Sequence, residues 1–174
     1  MSAFYAFFFL RNLLYLIFED IYKEYFKEVY YYLCSMCGDT DVCEDIAQET
    51  FFKALKNIER FEGNKDIRAW LFTIAKNSYI SYLRKRGGSI HLDEDISYEA
   101  DIGDKLSDSE TALKLHAILH KLREPYKEVF SLRVFGELSF ENIGKLFGKS
   151  AGWARVTYYR AKMMIIKETE DNDD

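Results

Sequence analysis

Residues 138–167 read LSFENIGKLFGKSAGWARVTYYRAKMMIIK, a pattern of helix, tight turn and longer helix. Ser139 stands where a hydroxyl can cap the first helix, whose apolar face is Phe140, Ile143 and Phe147. Gly148 follows where the helix must stop, because glycine reaches left-handed backbone angles without a Cβ clash. Ser150 can cap the second helix, on which Ala154, Tyr158, Ala161 and Ile165 recur at helical spacing. The other face carries Trp153, Arg155, Tyr159, Arg160 and Lys162, and no acid occurs from 142 to 167. A short helix packed on a basic longer one across a glycine turn is the helix-turn-helix arrangement, which lays its second helix in the DNA major groove. An ordinary helical hairpin with a solvated basic face fits the same pattern, so the rest of the chain has to decide.

The chain has 174 residues, enough for one ordinary domain or two small ones. Hydrophobic content of 48%, 30% charge and a single proline describe a folded, largely helical protein. The net charge of −5 argues against a nucleic-acid binder until its distribution is read. Residues 93–110 hold eight acids against Lys105 alone, whereas 65–86 hold six basic residues against Asp66 alone. Two basic patches separated by an acidic stretch suit local contact with phosphates. Cys34, Cys37 and Cys43 follow a C-x2-C-x5-C spacing, with His91, His116 and His120 far along the chain. With no fourth ligand adjacent, they read as buried thiols on helix faces rather than a zinc site, and reduced thiols point to the cytosol.

Residues 3–18, AFYAFFFLRNLLYLIF, are nearly all apolar around Arg11 and Asn12. They are too short to span a bilayer and lack the flanks of a signal peptide. The readings are an extra helix packed on the domain, an interfacial anchor, or a start assigned too far upstream; the first and third are favoured. A helix over 18–37 presents Ile21, Tyr25, Val29 and Leu33 on one face, and Gly38-Asp39 ends it. Asp39 or Thr40 can cap a second helix with Val42, Ile46, Phe52 and Leu55 inward and Glu44, Asp45, Gln48 and Glu49 outward. A loop over 59–66 precedes a third helix, 67–86, closed by Arg84, Lys85, Arg86 and Gly87. Its Trp70, Phe72, Tyr79 and Tyr82 alternate with cations, as suits single-stranded nucleic acid, although Trp70, Leu71 and Ile74 read as core. Residues 87–108 form an acidic linker without sustained period, which places a domain boundary there. Ser107 or Asp108 then caps a helix to 122, and Pro125 opens another to 135, stopped by Gly136.

The expected fold is therefore all-α: two small helical domains tethered by an acidic flexible linker. The boundaries are an apolar extension (1–17), a first domain (18–87), the linker (88–107), a helix-turn-helix domain (108–168) and an acidic tail (169–174).

Several strings resemble the extracytoplasmic-function group of bacterial RNA polymerase sigma factors, over roughly 18–167. EDIAQETFFKAL is similar to that family's polymerase-binding segment in region 2. DIRAWLFTIAKNSYISYLRKR is similar to its promoter-melting helix, including Trp70, Leu71, Ile74, Ala75 and Asn77. LREPYKEVFSLRVFGELSFENIGKLFG followed by SAGWARVTYYRAK is similar to region 4, which reads the minus-thirty-five element. Asn142 and Gly144 depart from the family's usual Glu and Ala, removing a capping-box partner. Lys149, Trp153 and Val156 depart as well, which affects the DNA sequence preferred rather than the docking.

The resemblance implies a subunit that binds core RNA polymerase and directs promoter-specific initiation, without catalysis, cofactor, metal or small-molecule substrate. No paired carboxylates, nucleophile–base set or phosphate-cradling glycine loop point to an enzyme. Asp45, Gln48, Glu49 and Phe52 would meet the polymerase. Phe61, Asn64, Lys65, Asn77, Arg84 and Lys85 would capture an unstacked base of the minus-ten element and its phosphates. Arg133, Ser139, Ser150, Trp153, Arg155, Val156, Tyr159 and Arg160 would meet duplex promoter DNA. A cytoplasmic protein held by an anti-sigma factor, often at the membrane, is the family expectation. The alternatives are a dimeric helix-turn-helix repressor or activator that does not bind core polymerase, and a polymerase-docking module that no longer selects promoters.

Overall fold

A computed structural model describes residues 3–61, 66–86 and 110–173. The helices are α1 (Ala3–Met36), α2 (Thr40–Asn57), α3 (Ile67–Lys85), α4 (Glu110–Lys121), α5 (Tyr126–Val134), α6 (Phe140–Phe147) and α7 (Ala151–Asp173). A 3₁₀ turn, Ile58–Arg60, extends α2. No strand occurs among the described residues, and none of their helices is long and apolar enough to cross a membrane. The linker 88–107, with the Ser107 and Asp108 caps, lies outside the described residues.

Local chemistry sets the helix starts. Asp39 accepts from the backbone N–H groups of Asp41 and Val42 at 3.0 and 3.2 Å, satisfying two donors that the first turn of α2 leaves open. Asp66 does the same for Arg68 and Ala69 at the start of α3. The apolar extension is not a separate helix, because α1 runs unbroken from Ala3 to Met36. Phe18 is buried in it, edge-on to Phe51, whereas Leu16 and Ile17 are exposed.

One expectation is corrected on α2. The buried stripe is Cys43, Ile46, Ala47, Thr50, Phe51 and Ala54, and Phe52 points outward. Of two adjacent phenylalanines only one can share the inward face of a helix with Ile46 and Ala54. Phe51 takes that place because its ring meets Phe18, Tyr22 and Phe26.

The two halves are more than tethered. One core runs through both, with Val29, Leu33, Leu71 and Phe72 packed continuously with Val129, Leu132, Leu138 and Ile143. A smaller core, including Ile118, Leu119, Phe130 and Ala161, belongs to the C-terminal half alone. In the seam, the Tyr32 hydroxyl on α1 donates to Glu128 Oε1 on α5 at 2.8 Å. Lys76 Nζ on α3 reaches the same carboxylate at 2.9 Å. Ser35 and Ser131 share a hydroxyl hydrogen bond of 2.7 Å, and His120 Nε2 meets the Cys34 carbonyl at 3.1 Å. Phe72 presses on Gly136, where a Cβ would lie 2.7 Å from the ring, so only glycine admits this approach. Arg68 bonds Glu137 at 2.8 Å, and Asn142 donates to Asp66 at 2.7 Å.

The Lys76–Glu128 pair is mostly buried, with side chains 18% and 10% exposed. Removing one member of such a pair leaves an uncompensated charge and costs about 3–5 kcal/mol. Lys76→Ala should therefore part the halves, raising the radius of gyration by small-angle scattering above the roughly 16 Å of a compact chain of this length. An unchanged radius would show that the pair does not hold the seam.

Glu124 Oε1 is buried without a partner; burial, then the neighbouring Glu128 charge, push its carboxyl up to about 7. Burial, then Lys127, push His120 down to about 4. The raised Glu124 contributes stability at acid pH that is lost as pH rises through about 7. The lowered His120 contributes stability above its ordinary value of 6.5 that is lost as pH falls toward about 4. By pH 8 Glu124 is ionised in the folded chain, whereas at pH 5 it is protonated. Glu124→Gln should therefore raise the melting temperature relative to the parent at pH 8 and do so less at pH 5. An equal difference at both pH values would refute it.

Candidate nucleic-acid interface

The turn-helix corner is built as its sequence requires. Ser139 Oγ accepts from the Asn142 N–H at 3.1 Å, capping α6. Gly148 ends α6 in a left-handed conformation at φ 62°, and its N–H bonds the Gly144 and Lys145 carbonyls. Ser150 Oγ accepts from the Trp153 N–H at 3.1 Å and caps α7. Gly144 is buried against the turn, where a Cβ would sit 2.8 Å from the Lys149 carbonyl oxygen. Its departure from the usual alanine thus belongs to a tighter corner. Asn142, the other departure, spends its amide on Asp66 across the seam.

On α7, Ala154, Thr157 and Ala161 are buried, which turns Arg155, Val156, Tyr159 and Arg160 to solvent. Val156 is 50% exposed and Tyr159 55%, well above the usual state of such side chains. Arg155 lies 5.6 Å from the Phe140 ring centroid, close enough to be steadied by it. Trp153 is half-buried against Phe147 and supports the corner more than it faces outward. Arg133 is also half-buried: it donates to the Leu138 carbonyl at 2.8 Å and lies 4.9 Å over Phe140. In this arrangement it braces the α5–α6 connection.

A second surface lies between α2 and α3. Lys53, Asn57, Arg60, Trp70, Ile74, Asn77, Ser78 and Ser81 line an open groove of about 560 Å³. Asn77 is exposed in it, and Trp70 lies 5.0 Å from Phe61 at its edge. Lys53 Nζ donates to Ser78 Oγ at 3.0 Å and pairs with Glu49 at 2.8 Å. Arg84 and Lys85 are exposed in the last turn of α3. Asn64 and Lys65 lie outside the described residues. Sequence reasoning missed Lys53, Asn57 and Arg60, whose spacing of four and three residues puts them on one helical face. Trp70, read as core, does pack against the core as a partly buried side chain, and it also lines the groove.

The third surface is the outward face of α2. Asp45, Gln48 and Glu49 are exposed beside Phe52, which is 57% exposed with Lys56 Nζ 4.2 Å over its ring. Among the described residues no three His, Cys, Asp or Glu side chains converge as metal ligands.

Comparison with known proteins accounts for both halves. Residues 21–88 match the description of Sigma-70 region 2, and 112–165 match Sigma-70, region 4. RNA polymerase sigma factor YlaC of Bacillus subtilis is 32% identical over 155 residues, covering 86% of this chain and 90% of the relative. ECF RNA polymerase sigma factor SigW of the same organism is 29% identical over 167 residues, covering 88% and 89%. The sigma factor RpoE from Bartonella quintana, solved in complex with the anti-sigma factor NepR, superposes with a TM-score of 0.75 over 88% of this chain and 96% of that one. At 23% identity that likeness concerns the fold. The chain belongs to the extracytoplasmic-function group of RNA polymerase sigma factors.

Proposed function

We propose that this sigma factor divides promoter recognition among the three surfaces just described, with α2 docking on core RNA polymerase. The observation that carries this is the exposure of all three on one folded chain. An apolar Phe52 ringed by Asp45, Gln48 and Glu49 is an anchor with a polar rim, the anatomy of a protein–protein contact.

The α2–α3 groove suits an extruded base of the minus-ten element. Trp70 and Phe61 offer stacking faces, Asn77 an amide for a base edge, and Lys53, Arg60, Arg84 and Lys85 charge for phosphates. Stacking on an aromatic ring returns about 1–3 kcal/mol per base, comparable with the few kcal/mol that unstacking costs. Asn64 and Lys65 join this set by their place in the family pattern.

On α7, Arg155 and Arg160 suit guanine edges or phosphates, Val156 and Tyr159 suit thymine methyls, and Ser139 and Ser150 mark helix starts that favour a phosphate. Trp153 and Arg133 position this helix, and Arg133 spends one of its guanidinium donors on the Leu138 carbonyl.

The packed seam has a consequence for this division. Elements named for positions thirty-five and ten lie about 25 base pairs apart, or about 85 Å at roughly 3.4 Å per step. A compact chain of this length, with a radius of gyration near 16 Å, cannot span that distance. The halves therefore separate when both elements are engaged, and the packed arrangement is a resting form.

The chain itself performs no catalysis in this reading; the polymerase makes the RNA. A cytoplasmic location and an anti-sigma partner follow from the same reading. The region 2 match takes the N-terminal half away from the alternative of a repressor's dimerisation domain.

Run-off transcription with purified core polymerase and genomic fragments tests the proposal as a whole. Arg155→Ala should lower run-off product from the cognate promoter about tenfold to a hundredfold, the worth of a bidentate arginine, with core binding intact. Loss of core binding by that variant would contradict the division of labour. Asp45→Ala combined with Gln48→Ala should abolish co-purification with core polymerase while α7 still retards promoter duplex. An unaffected pull-down would remove the docking role from α2.

A further inference from the structure

Three thiols gather where α1 turns into α2, and promoter reading makes no use of them. Cys37 follows the last residue of α1 and is partly exposed, while Cys34 and Cys43 are buried. Across the Gly38-Asp39 turn, Cys43 Sγ lies 3.8 Å from the Cys37 carbonyl oxygen, and Cys37 Sγ lies 3.6 Å from that of Asp39. Cys43 Sγ is thus turned toward the backbone of Cys37 across the turn, from the buried side.

We propose that Cys37 and Cys43 form a peroxide-reactive pair, in which Cys37 is oxidised first and Cys43 resolves it as an intrachain disulfide. The attacking thiol of such a pair has to be reachable by solvent, and its partner has to be within contact. Cys37 is the partly exposed sulfur and Cys43 its buried neighbour. The hydrogen bond from Cys43 outweighs burial and holds the Cys37 thiol down at about 7, the range where a thiol is both ionised and nucleophilic near neutral pH. Hydrogen bonding to Cys34 and Cys37, with burial, pushes the Cys43 thiol up, so Cys37 is the thiolate of the pair and Cys43 its neutral thiol.

The reaction balances with a hydroperoxide as oxidant. The Cys37 thiolate attacks one peroxide oxygen, the O–O bond breaks, and sulfenic acid forms while the other oxygen leaves as hydroxide and takes up a proton. The Cys43 sulfur then attacks the sulfenic sulfur, the S–O bond breaks, and the departing hydroxide carries off the Cys43 proton as water. Two thiols lose two electrons, and hydrogen peroxide becomes two waters.

The pair sits among contacts that fix the end of α1. Tyr79 on α3 donates to the Met36 carbonyl at 2.9 Å, and His120 on α4 meets the Cys34 carbonyl. Drawing the two sulfurs to a bond of about 2.05 Å tightens the turn on which those contacts and the start of α2 depend.

The test uses the full chain treated with hydrogen peroxide and mapped by peptide mass spectrometry. The expected product is a monomer two hydrogens lighter, with residues 37 and 43 crosslinked. Iodoacetamide labelling of Cys37 in the untreated chain should rise with pH around a midpoint near 7. Cys43→Ser should leave a dimedone-reactive sulfenic acid at Cys37, and Cys37→Ser should abolish the crosslink. Because Cys43 is fully buried and its replacement can disturb folding, crosslink mapping and labelling of the unaltered chain decide the matter by themselves. A crosslink through Cys34, intermolecular dimers, or Cys37 reacting no faster than free cysteine would overturn the proposal.

Discussion

A carboxylate in an apolar seam needs donors, and Glu128 obtains them from two helices of the opposite half, Tyr32 on α1 and Lys76 on α3. Desolvating such a group is expensive, so the pairing adds little net stability compared with an apolar contact of the same shape. Its effect is on register. Sliding α5 along α1 by one turn would leave both the lysine and the glutamate without partners. The close approach of Phe72 to Gly136 and the Ser35–Ser131 bond then follow from the register that Glu128 sets.

That seam coexists with three solvent-facing surfaces. Closing the halves leaves Asn77, Phe52, Arg155 and Tyr159 accessible, because each lies on a helix face turned from the shared core. Two departures from the family pattern also acquire physical reasons. Asn142 exchanges a capping-box role for a bond to Asp66 across the seam, and Gly144 permits a corner that a methyl group would obstruct. Specialisation here is written in the contacts between halves as well as on the reading helix.

Much of the architecture was legible in the chain because its causes are local. Helical spacing, the capping carboxylates Asp39 and Asp66, the capping hydroxyls Ser139 and Ser150, and the left-handed Gly148 act within a few residues of themselves. They located α2, α3, α6 and α7, and the outward set on α7 followed from the inward stripe of Ala154 and Ala161. The choice between Phe51 and Phe52 was not local. It depended on rings of α1 that only the folded chain brings near.

The amino-acid sequence by itself determined the helices, their caps, the basic reading face and the family, since periodicity and backbone satisfaction operate at short range. Tertiary structure alone decided that Lys53, Arg60, Trp70 and Asn77 share one groove, that Glu128 joins two halves on either side of the linker, and that Cys43 turns its sulfur toward Cys37 across one turn. Those facts depend on which faces pack against which, and pairing between distant helices is a property of the whole buried interior rather than of any stretch within it.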